Sequence, residues 1–177
     1  MLGLVSRCLV LLSLTAGGAA CTGGGSPTVV PPTRSDPYVQ SSAAACPTTA
    51  AEQPPFVPLP PYPAAPPGGP YGFWYGSREL WTALPGNGQW GQLALGEKFW
   101  WWSEEFDARA EPVPALVVTA RRLDGPSPVY RAGPATHGWS SDLYEAMLVW
   151  IDLPADGCWE LIGEYRGHRL TVVVWVP

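Results

Sequence analysis

Gly157-Cys158-Trp159-Glu160-Leu161-Ile162-Gly163-Glu164-Tyr165-Arg166-Gly167-His168-Arg169-Leu170-Thr171-Val172-Val173-Val174-Trp175-Val176 reads as two strands joined by a tight turn. Trp159, Leu161 and Tyr165 alternate with Glu160 and Glu164, which is the period of a half-buried strand. Arg166-Gly167-His168 supplies the reversal, and residues 170–176 run back as an apolar strand. The expectation is an antiparallel hairpin.

The same signals recur upstream as far as residue 71. Short runs rich in Val, Trp, Tyr, Leu and Ile cover residues 72–75, 79–84, 90–95, 98–102, 115–121, 144–153, 158–165 and 169–176. Pro85-Gly86-Asn87-Gly88, Leu123-Asp124-Gly125-Pro126 and Pro154-Ala155-Asp156-Gly157 punctuate them. A helical period is missing beyond one turn near residues 140–145. Evenly spaced strands without helices predict an all-β domain over residues 71–177, a sandwich of about seven to nine short antiparallel strands. The Asp156-Gly157-Cys158 corner before the hairpin resembles the final strand pair of an immunoglobulin-like sandwich.

Residues 22–70 hold most of the chain's 22 prolines and few large apolar groups. Such a stretch cannot bury enough surface to offset ordering its backbone, so it reads as a linker with polyproline II character. Its densest part is Pro54-Pro55-Phe56-Val57-Pro58-Leu59-Pro60-Pro61-Tyr62-Pro63. An SH3-like ligand and a semi-rigid spacer both fit it, and the spacer is the simpler account.

The first 20 residues have the three parts of a secretion signal: Arg7, the apolar run 8–14, and the small residues 15–20. The apolar run is too short to span a bilayer, and no later run reaches the roughly 20 residues needed. Gly18-Ala19-Ala20 precedes Cys21, and Thr22-Gly23-Gly24-Gly25-Ser26 follows it. This resembles the lipobox of bacterial lipoproteins, departing from it at Gly18, where those proteins usually carry a large apolar residue. The resemblance implies a diacylglycerol on Cys21, with residues 21–45 as a flexible tether and a membrane as partner. Cleavage by a general signal peptidase would instead release a soluble chain. The 15 acidic and 10 basic residues include no basic stripe, so nucleic acid is not an expected partner.

Cys8 leaves with the signal and Cys21 is the lipid site, which leaves Cys46 and Cys158. In an exported protein two such thiols are expected to pair. Closing a loop of about 110 residues contributes roughly 4 to 5 kcal/mol on the chain-entropy account. It would also pin residues 46–70 along the domain.

Several motifs resemble a family of exported bacterial proteins and lipoproteins. They are Cys46-Pro47-Thr48-Thr49 with Pro54-Pro55, Tyr75-Gly76, Leu80-Trp81-Thr82-Ala83-Leu84, Lys98-Phe99-Trp100-Trp101-Trp102, Arg121-Arg122-Leu123-Asp124-Gly125-Pro126 and Gly157-Cys158-Trp159-Glu160. Leu161-Ile162-Gly163 departs from the Val-Thr-Gly common there. The resemblance spans residues 46–177 and implies the Cys46–Cys158 pair and a sandwich-like domain, with no activity attached.

Catalytic signatures are missing: there is no Gly-x-Ser-x-Gly elbow, phosphate-binding glycine loop or His-Glu-x-x-His helix. Neither a cofactor nor a metal is expected. Thr136-His137-Gly138-Trp139-Ser140-Ser141-Asp142 gathers triad residue types, but sequence neighbours rarely supply triad geometry, and a surface turn is the better reading. The same holds for His168. Glu104-Glu105-Phe106-Asp107, with Glu111 nearby, could form a calcium loop or a glycosidase pair, and reads more simply as a solvated loop. Arg121, Arg122 and Asp124 read as a strand-end charge cluster.

The ten tryptophans stand out. In Phe99-Trp100-Trp101-Trp102 alternate side chains face opposite ways, so Phe99 and Trp101 share one face and Trp100 and Trp102 the other. Both faces cannot be the core. The second is either covered by the Pro-rich segment or open as an aromatic platform of Trp100 and Trp102 for glycan or another envelope protein. The leading expectation is a non-catalytic, lipid-anchored domain with a binding or structural role at the cell envelope. The competing one is a carbohydrate hydrolase using acidic residues near Glu104.

Overall fold

In a computed structural model the chain is described over residues 42–67, 71–91 and 98–177. Residues 1–41 lie outside this range, so the expected signal peptide, Cys21 and most of the expected tether do too. Nine strands follow a short 3-10 turn at Ala43–Ala45: β1 (Tyr71–Ser77), β2 (Leu80–Pro85), β3 (Lys98–Trp102), β4 (Val117–Arg122), β5 (Tyr130–Arg131), β6 (Thr136–Ser140), β7 (Tyr144–Trp150), β8 (Gly157–Tyr165) and β9 (His168–Val176). They form a five-stranded sheet, β1-β2-β3-β7-β6, and a four-stranded sheet, β5-β4-β8-β9. Every ladder between these strands is antiparallel.

The strand order carries more than the class. Leaving β1 aside, β2-β3-β7-β6 opposite β5-β4-β8-β9 reproduces the A-B-E-D and C′-C-F-G order of an immunoglobulin sandwich. β1 is an added edge strand outside β2.

The β8–β9 hairpin forms because Arg166 and Gly167 both take positive φ, 46° and 86°, as a two-residue type I′ turn requires. Tyr165 then pairs with His168 and the register runs unbroken to Gly157 opposite Val176. Trp159, Leu161 and Tyr165 on β8 and Val172, Val174 and Val176 on β9 point inward. They meet Phe99 and Trp101 of β3 and Met147 and Val149 of β7 from the other sheet. Full burial of side chains this large contributes roughly 1.5–3 kcal/mol each, so this inter-sheet layer dominates the fold's stability.

Strand β3 has the bounds expected for it. Other expectations are corrected. Residues 136–140 form a strand rather than a loop, because β6 pairs along its whole length with β7. The stretch 141–143 is the turn of that hairpin, which replaces the helical turn expected near 140–145. Trp90 is not in a strand: its amide donates to the Trp175 carbonyl at 2.7 Å while its ring packs edge-on against Phe99. Residues 92–95 of that expected strand lie outside the described range.

Cys46 and Cys158 are joined by a disulfide, with Cα atoms 5.4 Å apart. From Cys46 the chain runs along the free edge of β9. The Thr49 amide donates to the Val173 carbonyl and the Val173 amide to Thr49 Oγ1, both at 2.8 Å. Gln89 adds a parallel bridge to Trp175 on the same edge. These contacts satisfy an edge that would otherwise offer unpaired backbone groups to another chain.

Candidate binding face

Register fixes which tryptophans share the outer surface of the five-stranded sheet. Trp74 pairs with Ala83, Trp81 with Trp102, Trp100 with Leu148 and Lys98 with Trp150. Since Phe99 and Trp101 face the core, all of these point the other way. A band of indoles therefore crosses the outer face from β1 to β7.

Most of that band is covered by residues 56–63, which form a strap. Phe56 and Tyr62 pack on Trp81 with ring centroids 5.8 and 5.1 Å away, and Tyr62 also meets Tyr144 edge-on at 5.8 Å. Trp74 Nε1 donates to the Pro63 carbonyl at 3.0 Å, and Trp102 Nε1 to the Leu143 carbonyl at 3.0 Å. Pro58 is buried. Burial, with Glu145 and Glu104 nearby, holds the Tyr62 phenol above its usual value, so it stays a neutral packing group.

The expected platform of Trp100 and Trp102 does not form in that shape. Trp102 is 0 % exposed, enclosed by Trp74 at 5.0 Å and by Trp100 stacked over it at 6.1 Å. Trp100 stays partly exposed. Its open neighbour is Trp150, 53 % exposed, placed diagonally across the β3–β7 ladder. Sequence reading missed Trp150 because its face follows only from register with β3. Trp139, 68 % exposed, lies on the edge strand β6 away from this pair.

The acidic residues near Glu104 are engaged one by one. Arg78 Nε donates to both oxygens of Glu104, at 2.8 and 2.9 Å. Glu105 lies 3.4 Å from His168 Nε2. Asp107 Oδ1 accepts from the Arg109 amide at 2.9 Å, closing its own turn. Glu111 accepts from the Tyr165 hydroxyl at 2.7 Å, from Arg166 at 2.9 Å and from the Ala115 amide. Burial pushes the Glu111 carboxyl up, but those hydrogen bonds outweigh it and leave its pKa below the ordinary value. Burial and Glu111 together raise the Tyr165 phenol.

The groove beside Glu104, about 360 Å³, is lined by Leu59, Pro60, Pro61, Tyr62 and Arg78 and holds no second carboxylate. A glycosidase needs two that face each other. His137 Nδ1 sits 3.0 Å from the Pro112 carbonyl, and Ser140 Oγ accepts from the Leu143 amide, so these groups serve the loop and turn rather than a triad. Arg122 pairs with Asp124 at 2.6 Å and Asp124 accepts from the Cys158 amide at 3.0 Å, bracing the disulfide. Arg121 pairs across the ladder with Glu160 at 2.9 Å.

Comparison with protein-family models, with curated proteins and with solved structures finds no match for the chain.

Proposed function

We propose that this is an exported, non-catalytic domain with a binding or structural role at the cell envelope, held to the outer face of the membrane by a lipid on Cys21. The observation that supports the non-catalytic reading is the pairing around Glu104. Glu104, Asp107 and Glu111 are each held by a cation or an amide of the same domain, while aromatic surface at Trp100 and Trp150 stays open. A general acid or base needs a carboxyl free to exchange a proton with substrate. Kinship with exported bacterial proteins and removal of residues 1–20 belong to the same proposal, with a glycan or another protein of the envelope as the expected partner.

Two measurements test it. Cells expressing the full chain are fed an alkynyl fatty acid: the label is expected on the wild type and absent from Cys21→Ala, and an unlabelled wild type overturns the anchor. Purified mature chain is then mixed with washed envelope material. Retention without release of soluble sugar is expected, and release of reducing ends that Glu104→Gln abolishes would restore the hydrolase.

A further inference from the structure

The strap leaves one end of the tryptophan face open. Lys98 and Trp150 are direct cross-strand partners, and Trp100 is the diagonal neighbour of Trp150, a spacing of about 7–8 Å between such positions. Between them Leu148, itself buried, lies against Gly138, where a Cβ would come within 2.5 Å of Leu148 Cδ1. The missing side chain at Gly138 keeps the floor flat. A partly exposed and an exposed indole beside that floor suit a flat, partly apolar ring.

Charge narrows what that ring carries. Lys98 is the only lysine in the chain. It is exposed and belongs to no ion pair among the described residues, whereas Arg78, Arg121, Arg122, Arg166 and Arg169 each pair with a carboxylate, and Arg109 and Arg131, likewise without an ion pair there, lie outside the five-stranded sheet. An unspent ammonium beside two tryptophans complements an isolated acid group. The chain's net charge of −5 works against long polyanions such as nucleic acid or an anionic bilayer, and less against a short oligosaccharide that carries only a few acid groups.

We propose that Trp100, Trp150 and Lys98 form a subsite for a carboxylate-bearing glycan. The indole faces take the C–H face of a pyranose, and the Lys98 ammonium takes the acid substituent through a charge-assisted hydrogen bond. This rests on the envelope-binding reading above and names its ligand class.

The test titrates the full mature, disulfide-bonded chain with trigalacturonate and with its methyl ester, which keeps the rings and removes the charge. Binding of the acid is expected, weakened roughly tenfold by esterification and by Lys98→Gln. Trp150→Ala should abolish it, and Trp139→Ala, which removes a more exposed indole off this face, should leave it unchanged. Equal affinity for acid and ester overturns the proposal, as does binding that survives Trp150→Ala. Phosphatidylglycerol vesicles that bind while trigalacturonate does not overturn it in favour of a membrane contact. Envelope material retained equally by wild type, Lys98→Gln and Trp150→Ala overturns the subsite alone. Failure of the wild type to retain that material overturns the envelope role itself.

Discussion

Gly163 on β8 lies against the Trp101 ring of β3: a Cβ built on it would sit 2.5 Å from Trp101 Cζ3. These two strands hold the positions that an antibody domain joins by its inter-sheet disulfide. Here a fully buried indole fills the gap and the opposite residue has no side chain. Gly163→Ala must therefore displace the ring or separate the sheets. The expected cost is about 1–3 kcal/mol, seen as a lower urea midpoint with unchanged slope. Combined with Trp101→Leu the two losses should be less than additive, because the smaller side chain makes room for the methyl. Full additivity would show that the contact does not limit the packing.

The second prediction concerns the disulfide, whose cysteines are 112 residues apart. Replacing both by serine, which leaves no free thiol, should cost about 2–5 kcal/mol. The Thr49–Val173 hydrogen bonds next to it are then the local hold on the strap's N-terminal side, so proteolysis near residues 50–55 should quicken before global unfolding. Equal midpoints and equal cleavage rates would sink this expectation.

How much of this could be read from the sequence varies with the range of the contact that decides it. The β8–β9 hairpin was legible because a period of two and a two-residue turn are local. β3 was legible because four aromatic residues in a row have few other uses. β6 was not, since Gly138 and Ser140 favour a turn and only the ladder to β7 extends the segment. The disulfide followed from an expected export and the cysteine count. That Phe99-Trp100-Trp101-Trp102 divides between two faces was legible. Which of Trp100 and Trp102 stays open depends on where a segment some 40 residues upstream crosses the sheet, and sequence spacing does not encode that.

The third prediction is a pH dependence. Glu111 has a folded pKa below its ordinary value of 4.5, held there chiefly by Tyr165, the Ala115 amide and Arg166 against the opposing effect of burial. The folded state thus binds this proton less readily than the unfolded chain. Its stabilisation is present in full above pH 4.5 and is lost as pH falls through the lowered folded value. Thermal midpoints of Glu111→Gln should lie below those of the wild type at neutral pH, with the gap narrowing as acid is added. A constant gap from neutral to acid pH would show that the carboxylate's charge does not matter.

The fourth prediction tests whether the strap is structure or tether. Tyr62 packs edge-on against Trp81 and Tyr144, and the Trp74 indole is held by the Pro63 carbonyl. Removing the Tyr62 ring uncovers Trp81, which is otherwise 0 % exposed. Because Tyr62 is only partly buried, Tyr62→Ala should cost about 1–3 kcal/mol, short of a full core truncation. Trp74→Phe keeps most of the apolar contact and loses one hydrogen bond, for about 1 kcal/mol. The two variants separate the contributions: Tyr62→Ala should shift tryptophan emission to the red through wetting of Trp81, whereas Trp74→Phe should lower stability and change the emission only by the loss of that one buried indole. If residues 56–63 were only a spacer, Tyr62→Ala would change neither the emission nor the unfolding midpoint, and the outer face of the sheet would need some other cover.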